Sequence, residues 1–350
     1  MMESVFFVLG LGLFLGLVLC WGFRNLPEER WQMVAALPRK KREHGSWQGL
    51  NLTWYGLLSA NAYAFSVVIL LVLAVSAGIP LAALVILTAL FLAVTVPSSR
   101  IVAGMVEKKK ATLTVGGAVF VGTVIAPWLI LLINQTLGRY MDFSISVPVL
   151  LAAISIAYTF GESLGRLACL SFGCCYGKPL KECSGLTRRL FSRFYIVFTG
   201  KTKKISYASG LDGERMIPIQ MITSVIYGVS ALAGTWLFLE GFPRAALMET
   251  LFVTQIWRVG SEFFRADFRG ELKFSIYQIM ALATIAYGSM VVWIFPQSPL
   301  STDLGLGLKA LWNPGILLFV QTVWGIGFFH SGRSSVTDSK IFFNVVRDKI

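Results

Sequence analysis

The sequence predicts an all-α, polytopic membrane protein of about nine transmembrane helices, and three observations carry that reading. Only 14% of the 350 residues are charged and mean hydropathy is +0.69, whereas about a quarter of a soluble globular chain is charged. The apolar residues gather in runs of about 20, the length needed to cross roughly 30 Å of hydrocarbon. The bases fall almost entirely in alternate connections between those runs. Each run must be helical, because an open sheet would leave backbone groups unpaired in lipid.

In chain order the runs lie at about 3–22, 52–76, 80–97, 114–134, 146–173, 218–239, 246–264, 274–295 and 311–329. The first has no basic segment before it and outlasts a signal-peptide core, so it reads as a retained helix. The third is short, the fifth runs into a glycine-rich polar end, and the seventh carries Arg258 and Glu262. Gly122, Gly228, Gly234 and Gly288 permit close helix approach. Three connections are substantial: 23–51 with Arg39-Lys40-Lys41-Arg42, 98–113 with Lys108-Lys109-Lys110, and 174–217. The last interleaves Arg188, Arg189 and Arg193 with Phe191, Phe194 and Tyr195. That pattern suits an interfacial head with rings at headgroup level, and equally a plain surface loop.

With the N-terminus outside and nine crossings, the inside segments hold 26 of the 31 bases. Arg139, Arg244 and Lys309 fall outside, and Arg166 and Arg258 lie within spans. The positive-inside rule therefore places the head in the cytoplasm of a bacterial inner membrane. The net charge of +13 does not indicate a nucleic-acid partner, because no base-reading motif accompanies it. Bases beside anionic headgroups account for it. The five cysteines show no disulfide framework, consistent with a reducing compartment.

The densest polar constellation is Trp257-Arg258-Val259-Gly260-Ser261-Glu262-Phe263-Phe264-Arg265-Ala266-Asp267-Phe268-Arg269. On a helix, Arg258, Glu262 and Arg265 share one face, and Arg269 joins them if the helix continues. Glu262 would neutralise one arginine and leave a positive cavity suited to a phosphate. A helix-end salt-bridge ladder is the plainer reading, but Arg258 sits more than a turn inside the expected span, deeper than a ladder needs. Glu162 and Arg166, four apart, form a second pair that either locks two helices or joins Arg258 in gripping a phosphodiester.

The third constellation is Gly173-Cys174-Cys175-Tyr176-Gly177-Lys178-Pro179. Cys169, Cys174, Cys175 and Cys183 lack the separated pairs of a zinc or iron–sulfur site, and a vicinal pair rarely converges tetrahedrally. Neither a metal nor a cofactor is expected. Tight packing and a thiol nucleophile near Arg166 are the competing readings. His44 and His330 are distant in sequence from both arginine sites, so Tyr55, Tyr176, Glu162 and Glu262 are the proton-handling candidates.

Several short motifs then occur in a telling order. Leu52-Thr53-Trp54-Tyr55-Gly56-Leu57, Val115-Gly116-Gly117, Gly165-Arg166 through Gly177, Ile217-Pro218-Ile219-Gln220, and Arg258, Glu262 and Arg265 follow one another over residues 50–295. In this the chain resembles the prolipoprotein diacylglyceryl transferase family. The resemblance implies a seven-helix core at 52–295 with its head at 174–217. An extra helix at 1–22, a basic linker at 23–51, and a helix and tail at 296–350 flank it. It implies transfer of a diacylglyceryl group from an anionic phospholipid such as phosphatidylglycerol. Arg166 and Arg258 would act on the phosphate, Glu262 would orient Arg258, and Tyr55 or Glu162 would handle the proton. Arg265, Arg269, Gln220, Gly116, Gly117 and Cys169 would line the substrate.

The departures bear on the acceptor. Val115 stands where the family has histidine, Cys169 where it has asparagine, and Thr254-Gln255 where it has Tyr-Gly. The family's catalytic side faces the periplasm, while the charge distribution here faces the cytoplasm. The expected acceptor is a thiol of a protein, or a small cytoplasmic hydroxyl or amine compound. The family's own prolipoprotein reaction and a non-enzymatic lipid transporter are the alternatives.

Overall fold

A computed structural model describes residues 2–107, 115–267, 274–296 and 300–350. The Lys108-Lys109-Lys110 run and Arg269 lie outside the described residues. Each apolar run forms a helix: α1 Met2–Asn25, α2 Trp54–Ser76, α3 Leu81–Glu107, α4 Val115–Ile133, α5 Val147–Phe172, α6 Ile219–Leu239, α7 Pro243–Ser261, α8 Ile276–Ile294 and α9 Pro314–Ser331. Among the described residues seven are long and apolar enough to cross a membrane alone, and α9 makes an eighth together with Leu304–Ala310, from which it bends by 70°. Helix α7 does not qualify by apolarity. Glu249 and Arg258 make it amphipathic, and it packs against α5, α6 and α8.

Helix α5 is the hub, packed against α2, α6 and α7. Small hydroxylated residues hold these contacts, as expected where lipid offers no hydrophobic drive between helices. Ser66 Oγ donates to Ala157 O at 2.6 Å. Ser163 Oγ donates to Ser224 O at 2.7 Å while Ser224 Oγ donates back to Ser163 O at 2.6 Å. Ser155 and Thr250 hydroxyls meet at 2.7 Å.

The all-α reading holds for the membrane part, and a small antiparallel sheet stands outside it. Strands β1 Met33–Lys41 and β2 Trp47–Thr53 form a hairpin, and β3 Arg333–Ile341 adds to β2 with Leu50 opposite Asp338. The segment read as a basic linker is thus a hairpin clasped by the C-terminal tail. Thr53 closes the junction: its N–H bonds Gly332 O at 2.9 Å, and its hydroxyl caps α2 by accepting from Gly56 N.

The head is anchored from below by Lys203. Its side chain is fully buried, and Nζ donates to Leu26 O at 3.2 Å and Ser171 O at 2.6 Å, beyond the end of α1 and on the last turn of α5. Burial lowers the Lys203 pKa from 10.5 to about 8, although Glu29 and Asp212 act in the opposite sense. Sheet, head and the ends of α1, α3, α5, α7 and α9 share one end of the bundle. His330 ends up there too, hydrogen-bonded with Arg100 at 2.7 Å.

Candidate functional site

Two helices supply a three-residue ionic cluster near the head. On α5, Glu162 and Arg166 are one turn apart and hydrogen-bonded. From α7, Arg258 Nη2 approaches the same carboxylate oxygen, Glu162 Oε2, at 3.6 Å and donates to Tyr158 Oη at 2.7 Å. The side chains of Arg166, Glu162 and Arg258 are only 12%, 11% and 12% exposed. The cluster carries a net charge of +1. Among the described residues, neither arginine Nε–H has an acceptor, and both are buried. A buried donor left unmade costs about 1–3 kcal/mol, so the cluster is chemically suited to an anion with several oxygens.

The surroundings fix the guanidinium of Arg258. Tyr227 of α6 lies against it and donates to Thr254 O at 2.9 Å. Gly116 at the start of α4 faces it: a Cβ there would stand 2.8 Å from Tyr277 Cδ1 and 3.2 Å from Arg258 Nη1. Gly117 beside it is buried. Trp257 Nε1 bonds Thr223 Oγ1 at 2.9 Å and Gln278 Nε2 bonds Val259 O at 3.0 Å, so both neighbouring helices hold this turn of α7.

The face expected to carry Arg258, Glu262 and Arg265 is interrupted. Helix α7 ends at Ser261, a 3₁₀ turn covers Glu262–Phe264, and Arg265 is extended. Backbone pairing with the head takes over there: Lys178 N bonds Phe264 O at 2.8 Å and Ala266 N bonds Tyr176 O at 3.2 Å. Arg258 therefore lies in the last turn of its helix rather than more than a turn inside, yet its guanidinium points into the bundle. The carboxylate beside Arg258 is Glu162, from another helix, while Glu262 accepts from Ser275 Oγ at 3.4 Å. Arg265 makes a two-point ion pair with Asp267, both contacts 2.8 Å. Burial opposes its charge, but Asp267, the Cys175 thiol and Glu262 together raise its pKa.

The thiol segment lies one turn beyond Arg166. Helix α5 stops at Gly173 in the left-handed region, φ 68°, and Gly173 N and Cys174 N both bond Cys169 O, at 2.9 and 3.1 Å. Cys175 is also left-handed, φ 56°. These two turns fold the chain back, and the sulfurs of Cys169, Cys174 and Cys175 lie within 4.8 Å of one another. The convergence that spacing argued against is present. Cys183 is separate, its thiol directed at Pro179 O at 3.4 Å. Gln220, at the start of α6, holds the turn by donating to Cys174 O at 2.9 Å. Tyr55 packs against Phe172 with the rings tilted at 56° and centroids 5.4 Å apart, and lies in electrostatic range of the three thiols. Tyr176 bonds Ser209 within the head.

Sequence reasoning missed Tyr158 and Tyr227. Tyr158 had a signal, standing four residues before Glu162 on the same helical face. Tyr227 had none, since only tertiary packing brings α6 to Arg258.

No curated protein matches the chain. The family model for prolipoprotein diacylglyceryl transferase matches residues 45–294, which takes in all seven core helices and every residue of the ionic cluster. The chain belongs to the prolipoprotein diacylglyceryl transferase family.

Proposed function

We propose that this protein moves a diacylglyceryl group from an anionic phospholipid, phosphatidylglycerol being the test donor, to a nucleophilic acceptor. The observation that carries this is the Arg166–Glu162–Arg258 cluster, whose two Nε–H groups find no acceptor among the described residues. The acceptor heteroatom bonds to the glyceryl carbon bearing the phosphate ester. The carbon–oxygen bond breaks, and glycerol phosphate leaves with the electron pair. Arg166 and Arg258 stabilise the charge gained by the departing phosphate, and Glu162 holds both guanidiniums in place. Val115 cannot move a proton, and Tyr55, beside the thiol turn, is the candidate to relay the acceptor's proton. Arg265, Gln220 and Cys169 shape the mouth under the head.

The loop charges favour a head on the cytoplasmic face of a bacterial inner membrane, so the acceptor is drawn from that side. A single cysteine introduced at Lys204 and labelled by an impermeant reagent from outside would reverse this orientation. For the reaction, purified protein with labelled phosphatidylglycerol and a cell extract should release labelled glycerol phosphate. Arg166→Ala and Arg258→Ala should abolish release while folded protein accumulates. Lipid bound or moved but chemically unchanged would replace the transferase reading with a transporter.

A further inference from the structure

We infer that Cys169, Cys174 and Cys175 form a three-thiolate site for a zinc ion, with a fourth coordination position left for an exogenous ligand. Three protein ligands plus one open position is the arrangement of catalytic rather than structural zinc. Tetrahedral zinc with bonds of about 2.3 Å needs sulfurs about 3.8 Å apart. Here they already lie within 4.8 Å, so small side-chain rotations close the difference. The fourth nearby cysteine, Cys183, is turned away toward Pro179.

The backbone is built to bring the sulfurs together. Cys175 adopts φ 56°, a conformation unfavourable for any residue with a Cβ and suited to glycine. The chain nevertheless places a thiol there, and that turn is what sets the Cys175 sulfur beside that of Cys169. The turn is also braced: Cys169 O takes two backbone N–H groups, and Gln220 Nε2 takes Cys174 O. Sites whose ligands are held by such outer bonds lose little order on binding metal.

Charge agrees as well. Arg166, Lys204 and Arg265 all lie in electrostatic range of these sulfurs. Three positive groups would repel a bare cation. They favour a zinc ion with three thiolates, which carries a net charge of −1. Soft thiolate ligands select zinc over magnesium or calcium.

The role of the ion rests on the transferase reading, whereas the site itself does not. Cys169 is three residues beyond Arg166, so the ion would sit one helical turn from the phosphate-binding cluster. An acceptor thiol or hydroxyl taking the fourth position would lose its proton to water and be held as the anion. It would then bond to the glyceryl carbon as the phosphate-ester bond breaks and glycerol phosphate departs with the electron pair. This would supply in part the acceptor activation that Val115 cannot.

The test uses the full chain, purified in detergent under anaerobic conditions. Elemental analysis should find one equivalent of zinc. After chelation, added cobalt(II) should give sulfur-to-cobalt charge transfer and intense tetrahedral visible bands, lost on re-adding zinc. Cys169→Ser should weaken cobalt binding by at least about 100-fold, more than an outer-shell change costs. Cys175→Gly is the sharper variant, because glycine suits the local backbone: it should fold at least as well and still lose the metal. Cys20→Ser and Cys183→Ser should retain it. Folded wild type without zinc or cobalt bands would overturn the site. So would metal retained in Cys175→Gly, copper(I) in place of zinc, or a disulfide among the three thiols. Metal binding survives as a readout even if the chain turns over no lipid, and Arg258→Ala should keep its zinc while losing turnover.

Discussion

Arg258 Nη2 lies 3.6 Å from Glu162 Oε2, on an oxygen already hydrogen-bonded to Arg166. One carboxylate from α5 thus serves two guanidiniums from two helices. Without it, two positive groups would face each other in a poorly solvated space, which is strongly unfavourable. Glu162→Gln keeps the shape and removes the charge. It should lower stability by about 3 kcal/mol, the scale for breaking a buried ion pair. A bound anion would then replace the missing charge, so phosphatidylglycerol should raise the unfolding temperature of this variant more than that of wild type. Equal stabilisation of the two proteins by the lipid would place its phosphate elsewhere.

Tyr158 acts through Arg258. Its hydroxyl accepts from Nη2 at 2.7 Å, and a hydrogen bond to a charged group contributes about 1.5–3 kcal/mol. Tyr158→Phe should therefore slow diacylglyceryl transfer by roughly 10- to 100-fold while leaving the chain folded. Unchanged turnover in a rate assay would show that Glu162 and Tyr227 position Arg258 without Tyr158.

Gly116 tests the space around the same guanidinium. A Cβ there would crowd Tyr277 at 2.8 Å and Arg258 Nη1 at 3.2 Å, so the Tyr277 ring must shift and the Arg258 fork must give way as well. A displacement near 1 Å at a reacting centre costs about 100-fold in rate. Gly116→Ala should fall by that order in turnover, with about 1–3 kcal/mol lost in stability from overpacking. Full activity would mean that the fork shifts without consequence.

The membrane part of this fold was legible because lipid imposes a simple rule: long apolar runs must be helices. Each of the nine runs is a helix, and α7, the marginal one, owes its amphipathic character to Arg258, which the sequence singles out, and to Glu249, which it does not, while Glu262 lies beyond its end. The sheet was hidden. Its β1 is exposed along most of its length and carries Arg39-Lys40-Lys41, and β2 pairs with a strand almost 300 residues away. No local pattern announces such a pairing. The site was half legible. Arg166, Glu162 and Arg258 were readable as charges where charge is costly. The Glu162–Arg166 pair was readable as well, but its link to Arg258 was not, because the i, i+4 rule joined Arg258 to Glu262 and assumed a helix that stops at Ser261. The closeness of three thiols was hidden for a related reason. Spacing rules presume ordinary backbone, whereas Gly173 and Cys175 both turn left-handed.

Lys203 gives the last prediction, since the head depends on it. Its ammonium is buried between the end of α1 and the end of α5, and its pKa falls from 10.5 to about 8. Below pH 8 it is charged in both folded and unfolded chains, and the cost of burying that charge is fully present. Between pH 8 and 10.5 the folded protein has released the proton and the unfolded chain still holds it. The unfolded state then binds more protons, so stability rises with pH across this window. The gain is about 3 kcal/mol for a shift of this size. Lys203→Met removes the titrating group and leaves every other one in place. Thermal unfolding of both proteins from pH 7 to 10.5 should show wild type gaining on the variant by that amount, with the change confined above pH 8. A constant difference between them would mean that Lys203 keeps its ordinary pKa, and that water reaches the ammonium between Leu26 and Ser171.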